Sequence, residues 1–280
     1  MGGRVRSQAR DFLRSYARYR PATIDARLAH LGQLMARTRP ELFASSDLSR
    51  FELRVFSQNG EDGVLVEILN RIGVEHRYFV EFGIQEGVEG NCVLLADVLG
   101  WGGLFLEADP EFFAGVSRKY AGTPVDVRQE MVTAERVEEI FAAAGVPVGL
   151  DVLSIDIDGN DVYVWEALTT HRPRVVVIEY NSGILGDGPL AQPHDPDRSW
   201  DGGSAWGSSL AALEAVGRRK GYSLVHTDLS GVNAFFVRDD LLPALGVDRV
   251  PRRTQNYGLT GITQKPSDPP GGWATLSEGP

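Results

Sequence analysis

From Phe56 to Glu179 the chain alternates short apolar runs with longer amphipathic stretches, a pattern that few folds accommodate. The spacing of apolar residues predicts helices over 61–72, 91–99, 110–120, 134–144 and 161–169. Between them, runs such as Tyr78-Phe79-Val80-Glu81-Phe82 and Val175 to Glu179 are too short for helices and are rich in β-branched and aromatic residues. They read as strands over 78–82, 103–107, 125–127, 152–156 and 175–179, buried on both faces. Such alternation gives right-handed βαβ units and a mostly parallel sheet covered by helices on each side. After Asn181 the pattern breaks into a segment, 182–205, rich in Gly, Pro, Asp and Trp. It then resumes with a helix over 207–220 and two strands, 223–227 and 233–238. The turn signal Ser230-Gly231 lies between those strands, so they are expected to form an antiparallel hairpin.

The flanks differ from this middle. Residues 4–38 read as two amphipathic helices separated at Pro21 and closed by Pro40. We therefore expect a helical extension over 1–50, serving as a cap or as the arm of a homodimer. An α/β domain is expected over 51–257, and a loosely ordered Pro/Gly-rich tail over 258–280.

The formal net charge is −10, from 38 acids against 28 bases, which argues against a nucleic-acid partner. The one basic cluster, the arginine-rich first twenty residues, reads as a solvated helix face. A single cysteine, Cys92, allows no intrachain disulfide and no thiolate-rich zinc site, and reads as a buried small hydrophobe. No apolar run is long enough to cross a membrane and no signal-peptide core precedes the first helix. The expectation is a cytoplasmic protein acting on a small molecule.

Chemistry concentrates where predicted strands end. Glu81-Phe82-Gly83-Ile84-Gln85-Glu86-Gly87 delivers an acid on a buried strand into a turn with two glycines. The spacing is not the GxGxxG of a dinucleotide site, and an acid there suits a cationic sulfonium or ammonium better than a pyrophosphate. Glu107, twenty-six residues on, ends the next strand, where a carboxylate can accept both hydroxyls of a ribose. Asp109 suits the cap of the helix begun by Pro110. Leu153-Ser154-Ile155-Asp156-Ile157-Asp158-Gly159-Asn160-Asp161 crowds three carboxylates at one strand end. Asn160 or Asp161 could cap the following helix. Asp156 and Asp158 could hold a hard divalent cation such as Mg²⁺ or supply a general base. Glu179 and Asn181, at the end of the adjacent strand, could complete that oxygen set or bind an acceptor.

Five stretches in order carry a family resemblance: Ser57 to Asp62, Phe79 to Gly83, Gly100 to Leu104, Leu153 to Asp161, and Val177 to Asn181. Over roughly residues 55–240 the chain resembles the FkbM-type branch of the class I methyltransferases, which use S-adenosylmethionine (SAM). The resemblance implies a Rossmann-like, seven-stranded sheet with an antiparallel last strand, in agreement with the hairpin above. It implies that Glu81, Gly83 and Gly87 line the methionine part of SAM and that Glu107 holds its ribose. Ser57 and Gln58 would approach the carboxylate end, and Asn91 and Asp156 complete the cofactor set.

The run Asp156-Ile157-Asp158-Gly159 is also similar to the acidic motif of macrocin-type sugar O-methyltransferases, where aspartates at neighbouring strand ends hold Mg²⁺. Here the second strand offers Glu179 and Asn181, so the candidate metal set is Asp156, Asp158, Glu179 and Asn181. The segment 182–205 reads as an acceptor-binding lid, with His194 beside Asp158 as a candidate base and Trp200 and Trp206 as stacking surfaces. Methyl transfer to oxygen or nitrogen of a sugar-like or natural-product acceptor is the expected activity. A nicotinamide-dependent oxidoreductase and a non-catalytic interaction module are the rivals.

Overall fold

The computed structural model describes residues 48–184, 188–197, 205–253 and 272–276. The predicted N-terminal helices, Trp200 and most of the tail lie outside the described residues.

Nine strands and seven α-helices are present among the described residues. The strands are β1 (Tyr78–Phe82), β2 (Gly102–Glu107), β3 (Val125–Gln129), β4 (Val152–Ile155), β5 (Val175–Glu179), β6 (Leu190–Ala191), β7 (Tyr222–Thr227), β8 (Asn233–Arg238) and β9 (Ala274–Thr275). The helices are α1 (Glu61–Ile72), α2 (Val93–Asp97), α3 (Pro110–Lys119), α4 (Val137–Ala144), α5 (Asp161–Ala167), α6 (Leu210–Lys220) and α7 (Leu242–Leu245). A seven-stranded sheet runs β3-β2-β1-β4-β5-β8-β7, and only β8 opposes its neighbours. This is a Rossmann-like fold, a mostly parallel sheet with one antiparallel strand, and the β7–β8 hairpin is antiparallel as its turn signal predicts.

Alternation of side chains along the strands builds two cores, one on each face. Val80, Phe82, Leu104, Leu106, Leu153 and Ile155 point to the face covered by α4, α5 and α6, where Trp165 is wedged against Phe236. Phe79, Phe105, Val152, Val175 and Val177 point to the opposite face, under α1, α2 and α3. Each fully buried Val, Leu, Ile or Phe contributes about 1.5–3 kcal/mol. Cys92 is buried in the second core, as expected of a small hydrophobe.

Parity along β1 decides where its acid goes. Glu81 lies between Val80 and Phe82, so it faces the α2 side together with Phe79. The parallel registers place Phe82 beside Leu106, Glu107 beside Gln129, and Ile155 beside Ile178. The strands therefore end along one edge. Strand order reverses between β1 and β4, the switch point at which open α/β sheets bind ligands. Gly83 marks the contact: a Cβ on it would lie 2.3 Å from the Asp156 carbonyl oxygen, and its φ is +69°. Only glycine meets both demands.

Several elements differ from the sequence expectation; α4, for example, starts at Val137 rather than 134, and α5 ends at Ala167 rather than 169. Helix α2 is shorter than 91–99 and begins at Val93, just after the Asn91 and Cys92 N–H groups that donate to Glu81. Helix α6 starts at Leu210, not 207, because Ser209 caps it by accepting the Ala212 N–H and Gly207 is left-handed. Part of the tail is ordered: β9 pairs antiparallel with β6, and the Leu276 N–H donates to the Pro189 carbonyl. Two-residue strands carry no periodicity, so no sequence pattern announces them.

Candidate active site

The turn after β1 is held from several sides. The Gly83 N–H donates to the Leu106 carbonyl, and the Gly87 N–H donates to the Ile84 carbonyl. Between them Gln85 adopts φ +51°, and its N–H donates to the Glu107 carboxylate at 2.6 Å. The other Glu107 oxygen accepts the Asp109 N–H at 2.8 Å. Those bonds use two of about four acceptor positions on a carboxylate, leaving capacity for a diol. Asp109 caps α3 by accepting from Glu111 and Phe112, as its place before Pro110 predicts. The Lys119 ammonium donates to the Gly87 carbonyl at 2.6 Å and pairs with Asp97.

Glu81 lies beneath this turn. One oxygen accepts the Asn91 N–H at 2.7 Å, the other the Cys92 N–H at 3.0 Å, and the Ser154 hydroxyl stands 3.4 Å away. The Asn91 amide in turn donates to Ser154 Oγ, tying β1 to β4. Burial pushes the Glu81 carboxyl up to about 7 in spite of these donors. A buried acid in that range is readily ionised by a neighbouring cation. The same carboxylate occupies the amides leading into α2, so that helix start is closed to a pyrophosphate.

Ser57 and Gln58 separate. Ser57 is buried; its hydroxyl donates to Asp62 and accepts the Asp62 N–H, while the N–H groups of Val55, Phe56 and Ser57 all reach the same Asp62 oxygen. Ser57 thus folds the start of α1, whereas Gln58 is exposed. Glu61 accepts from Asn59 and from the Asn233 amide, which sits opposite Glu179 in the β5–β8 register.

At the ends of β4 and β5, ligand oxygens of Asp156, Asp158 and Glu179 lie within 4.8 Å of one another. Burial, then repulsion from Asp161 and Asp158, drives Asp156 well above the usual carboxylate range. Burial and the Asp156 charge do the same to Glu179. Glu179 Oε2 is buried with no N–H or hydroxyl donor, and the Asp156 and Glu179 carboxyls face each other as a hydrogen-bonded pair. An all-oxygen set of acids held against one another fits a hard divalent cation, which would relieve the mutual repulsion.

Asp158 is exposed at the tip of the turn with φ +58°. Neither Asn160 nor Asp161 caps α5 with its side chain. Asp161 instead reaches back to accept the N–H groups of Ile157 at 2.9 Å and Gly159 at 2.8 Å, bracing the left-handed turn. An Asp two residues after an Asp-Gly turn signal is the trace this leaves in the sequence.

Two further candidates have partners on neighbouring segments. The Asn181 amide donates to the Trp206 carbonyl and its oxygen accepts the Gly183 N–H, so this side chain shapes its own loop. His194 lies 3.5 Å from Glu135 with its ring against Tyr163, outside the carboxylate cluster. A side chain on an irregular loop has no periodicity from which to predict its direction.

No protein-family model matches this chain, and no curated protein matches it. Among solved structures it is similar to the N-terminal domain of EvdMO1 with SAH bound, at 17% identity over 65% of this chain and 80% of that one, TM-score 0.41. It is similar to Streptomyces venezuelae DesVI at 11% identity over 64% of this chain and 90% of that one, TM-score 0.41. It is also similar to SAM-bound CalS10, an amino pentose methyltransferase from Micromonospora echinaspora involved in calicheamicin biosynthesis. That likeness is 13% identity over 64% of this chain and 89% of that one, TM-score 0.41. At such identities and scores, the chemistry of the site is read from its own residues.

Proposed function

We propose that this chain is a SAM-dependent methyltransferase acting on oxygen or nitrogen of a small polar acceptor, of the sugar, aminosugar or nucleotide-sugar class. The observation that carries the reading is the pairing of two acids at the switch point. Glu81 is buried beneath the turn after β1, and Glu107 is bonded to that turn through Gln85 with acceptor capacity to spare. An anion under the turn suits the ammonium and sulfonium of SAM, and Glu107 suits its ribose.

When bound, SAM would supply an electrophilic methyl for an acceptor lone pair, the electron pair of the broken sulfur–carbon bond staying on sulfur. The chain's part is positioning and proton removal. Asp158, exposed at the tip of its turn, takes the proton from the acceptor hydroxyl or amine. His194 lies against Glu135 and Tyr163, outside the cluster of Asp156, Asp158 and Glu179, so on this reading the base is Asp158. Asp156, Asp158 and Glu179 would hold a divalent cation such as Mg²⁺, whose charge would favour ionisation of an acceptor hydroxyl.

Calorimetric titration with S-adenosylhomocysteine (SAH), with Mg²⁺ or with EDTA, tests the reading. Saturable binding that Glu107→Ala abolishes supports it and licenses an acceptor screen beginning with aminosugars and sugar nucleotides. No binding under either condition overturns it.

A further inference from the structure

The carboxylate turn after β4 is fastened to the segment after β5 through one buried side chain. Gln192 is 2% exposed. Its Oε1 accepts the Gly207 N–H at 3.1 Å, and its Nε2 donates to Asn160 Oδ1 at 3.4 Å. Its backbone N–H donates to the Gly207 carbonyl at 2.8 Å, and its carbonyl accepts the Tyr163 hydroxyl at 2.6 Å. The amide therefore lies between the Gly207 turn and the 156–160 turn, with hydrogen bonds to both.

Its contact with Gly159 is close. A Cβ on Gly159 would meet both amide heteroatoms of Gln192 at 2.8 Å, and Gly159 adopts φ +145°, open only to glycine. Asp158 immediately precedes it in a left-handed conformation. Asp161 braces this turn from within; Gln192 and the Asn160 amide, which donates to the Asp195 carbonyl, brace it from outside. A turn with one strained non-glycine residue keeps its shape only while its surroundings over-determine it.

We propose that Gln192 is a positioning residue for the carboxylate cluster: its amide, packed on Gly159, fixes Asp158 toward Asp156 and Glu179. This rests on the reading of that cluster as a cation site. Supporting side chains around metal ligands are worth about 10- to 100-fold in metal affinity. Gln192 bonds to the turn that carries Asp158 and not to the turn after β1, so its loss should affect the cation and leave the cofactor turn intact.

The test uses Mn²⁺ as the probe, by electron paramagnetic resonance titration of the full chain, beside SAH calorimetry and thermal melting. Gln192→Met keeps the length and loses the amide; Gln192→Ala also opens space beside Gly159. The expected result is Mn²⁺ binding weakened about 10-fold or more in both variants, with SAH affinity unchanged. Wild-type Mn²⁺ affinity in a folded Gln192→Ala protein overturns the positioning role. Equal losses of Mn²⁺ and SAH binding also overturn it, since they mark general loosening. A wild-type chain that binds SAH but no Mn²⁺ overturns the cation reading and this inference with it, leaving the cofactor reading standing.

Discussion

The N–H of Gln85 donates to the carboxylate of Glu107 at 2.6 Å, so the turn that leaves β1 hangs from the acid that ends β2. Glu107 also accepts the Asp109 N–H, directly ahead of the cap of α3. One side chain thus sets the floor of the proposed cofactor cleft and retains capacity for a ligand. The Glu107→Ala variant should lose SAH binding and also lose about 2 kcal/mol or more of stability, because two amides lose a charged acceptor. Calorimetry and urea unfolding read the two effects separately. A variant as stable as wild type would show that the turn does not depend on this carboxylate.

Gly83→Ala probes the junction of β1 with β4. Its Cβ would lie 2.3 Å from the Asp156 carbonyl at a φ of +69°. The left-handed conformation alone costs an alanine about 1–2 kcal/mol, and the clash adds to it. The expected outcome is a loss of more than about 2 kcal/mol in urea unfolding, with weakened SAH binding in whatever remains folded. Full stability with intact binding would place the turn elsewhere.

The sheet was legible in the sequence because buried strands and amphipathic helices leave periodic traces, and the glycines and acids at their ends fall where register makes them meet. Glu81, Glu107 and Asp156 follow from that logic. The roles of Ser57, Asp161 and Gln192 do not, because each depends on which way one side chain turns within a loop. Ser57 closes on Asp62, and Asp161 turns back on its own loop instead of capping α5. The partners of His194 and Asn181 were hidden for the same reason: Glu135 and Trp206 meet them only through tertiary packing.

Asp158 and Asp161 should be separable by mutation. Asp158→Asn removes the proton acceptor and keeps the shape, so turnover should fall by about 10²- to 10⁴-fold with SAH affinity unchanged. Asp161→Ala removes the acceptor of two turn amides, and should cost about 2 kcal/mol of stability besides activity. Parallel loss of SAH binding in Asp158→Asn would sink its assignment as the base.

Glu81 gives the clearest pH dependence. Burial raises its carboxyl to about 7 in the folded chain, against an ordinary value of 4.5. Between those values the folded chain holds a proton that the unfolded chain has released. The associated stabilisation is complete below the unfolded value and is lost as pH rises through the folded one. That separation corresponds to about 3 kcal/mol. Relative to Glu81→Gln, which cannot titrate, the wild type should therefore be more stable near pH 5 than near pH 8, as read by urea unfolding. A ligand cation beside Glu81 favours its ionised form, so SAM binding near pH 7 should release a proton. That release appears as a dependence of the calorimetric enthalpy on the buffer's ionisation enthalpy. Glu81→Gln should abolish the dependence; its persistence would assign the proton to another group.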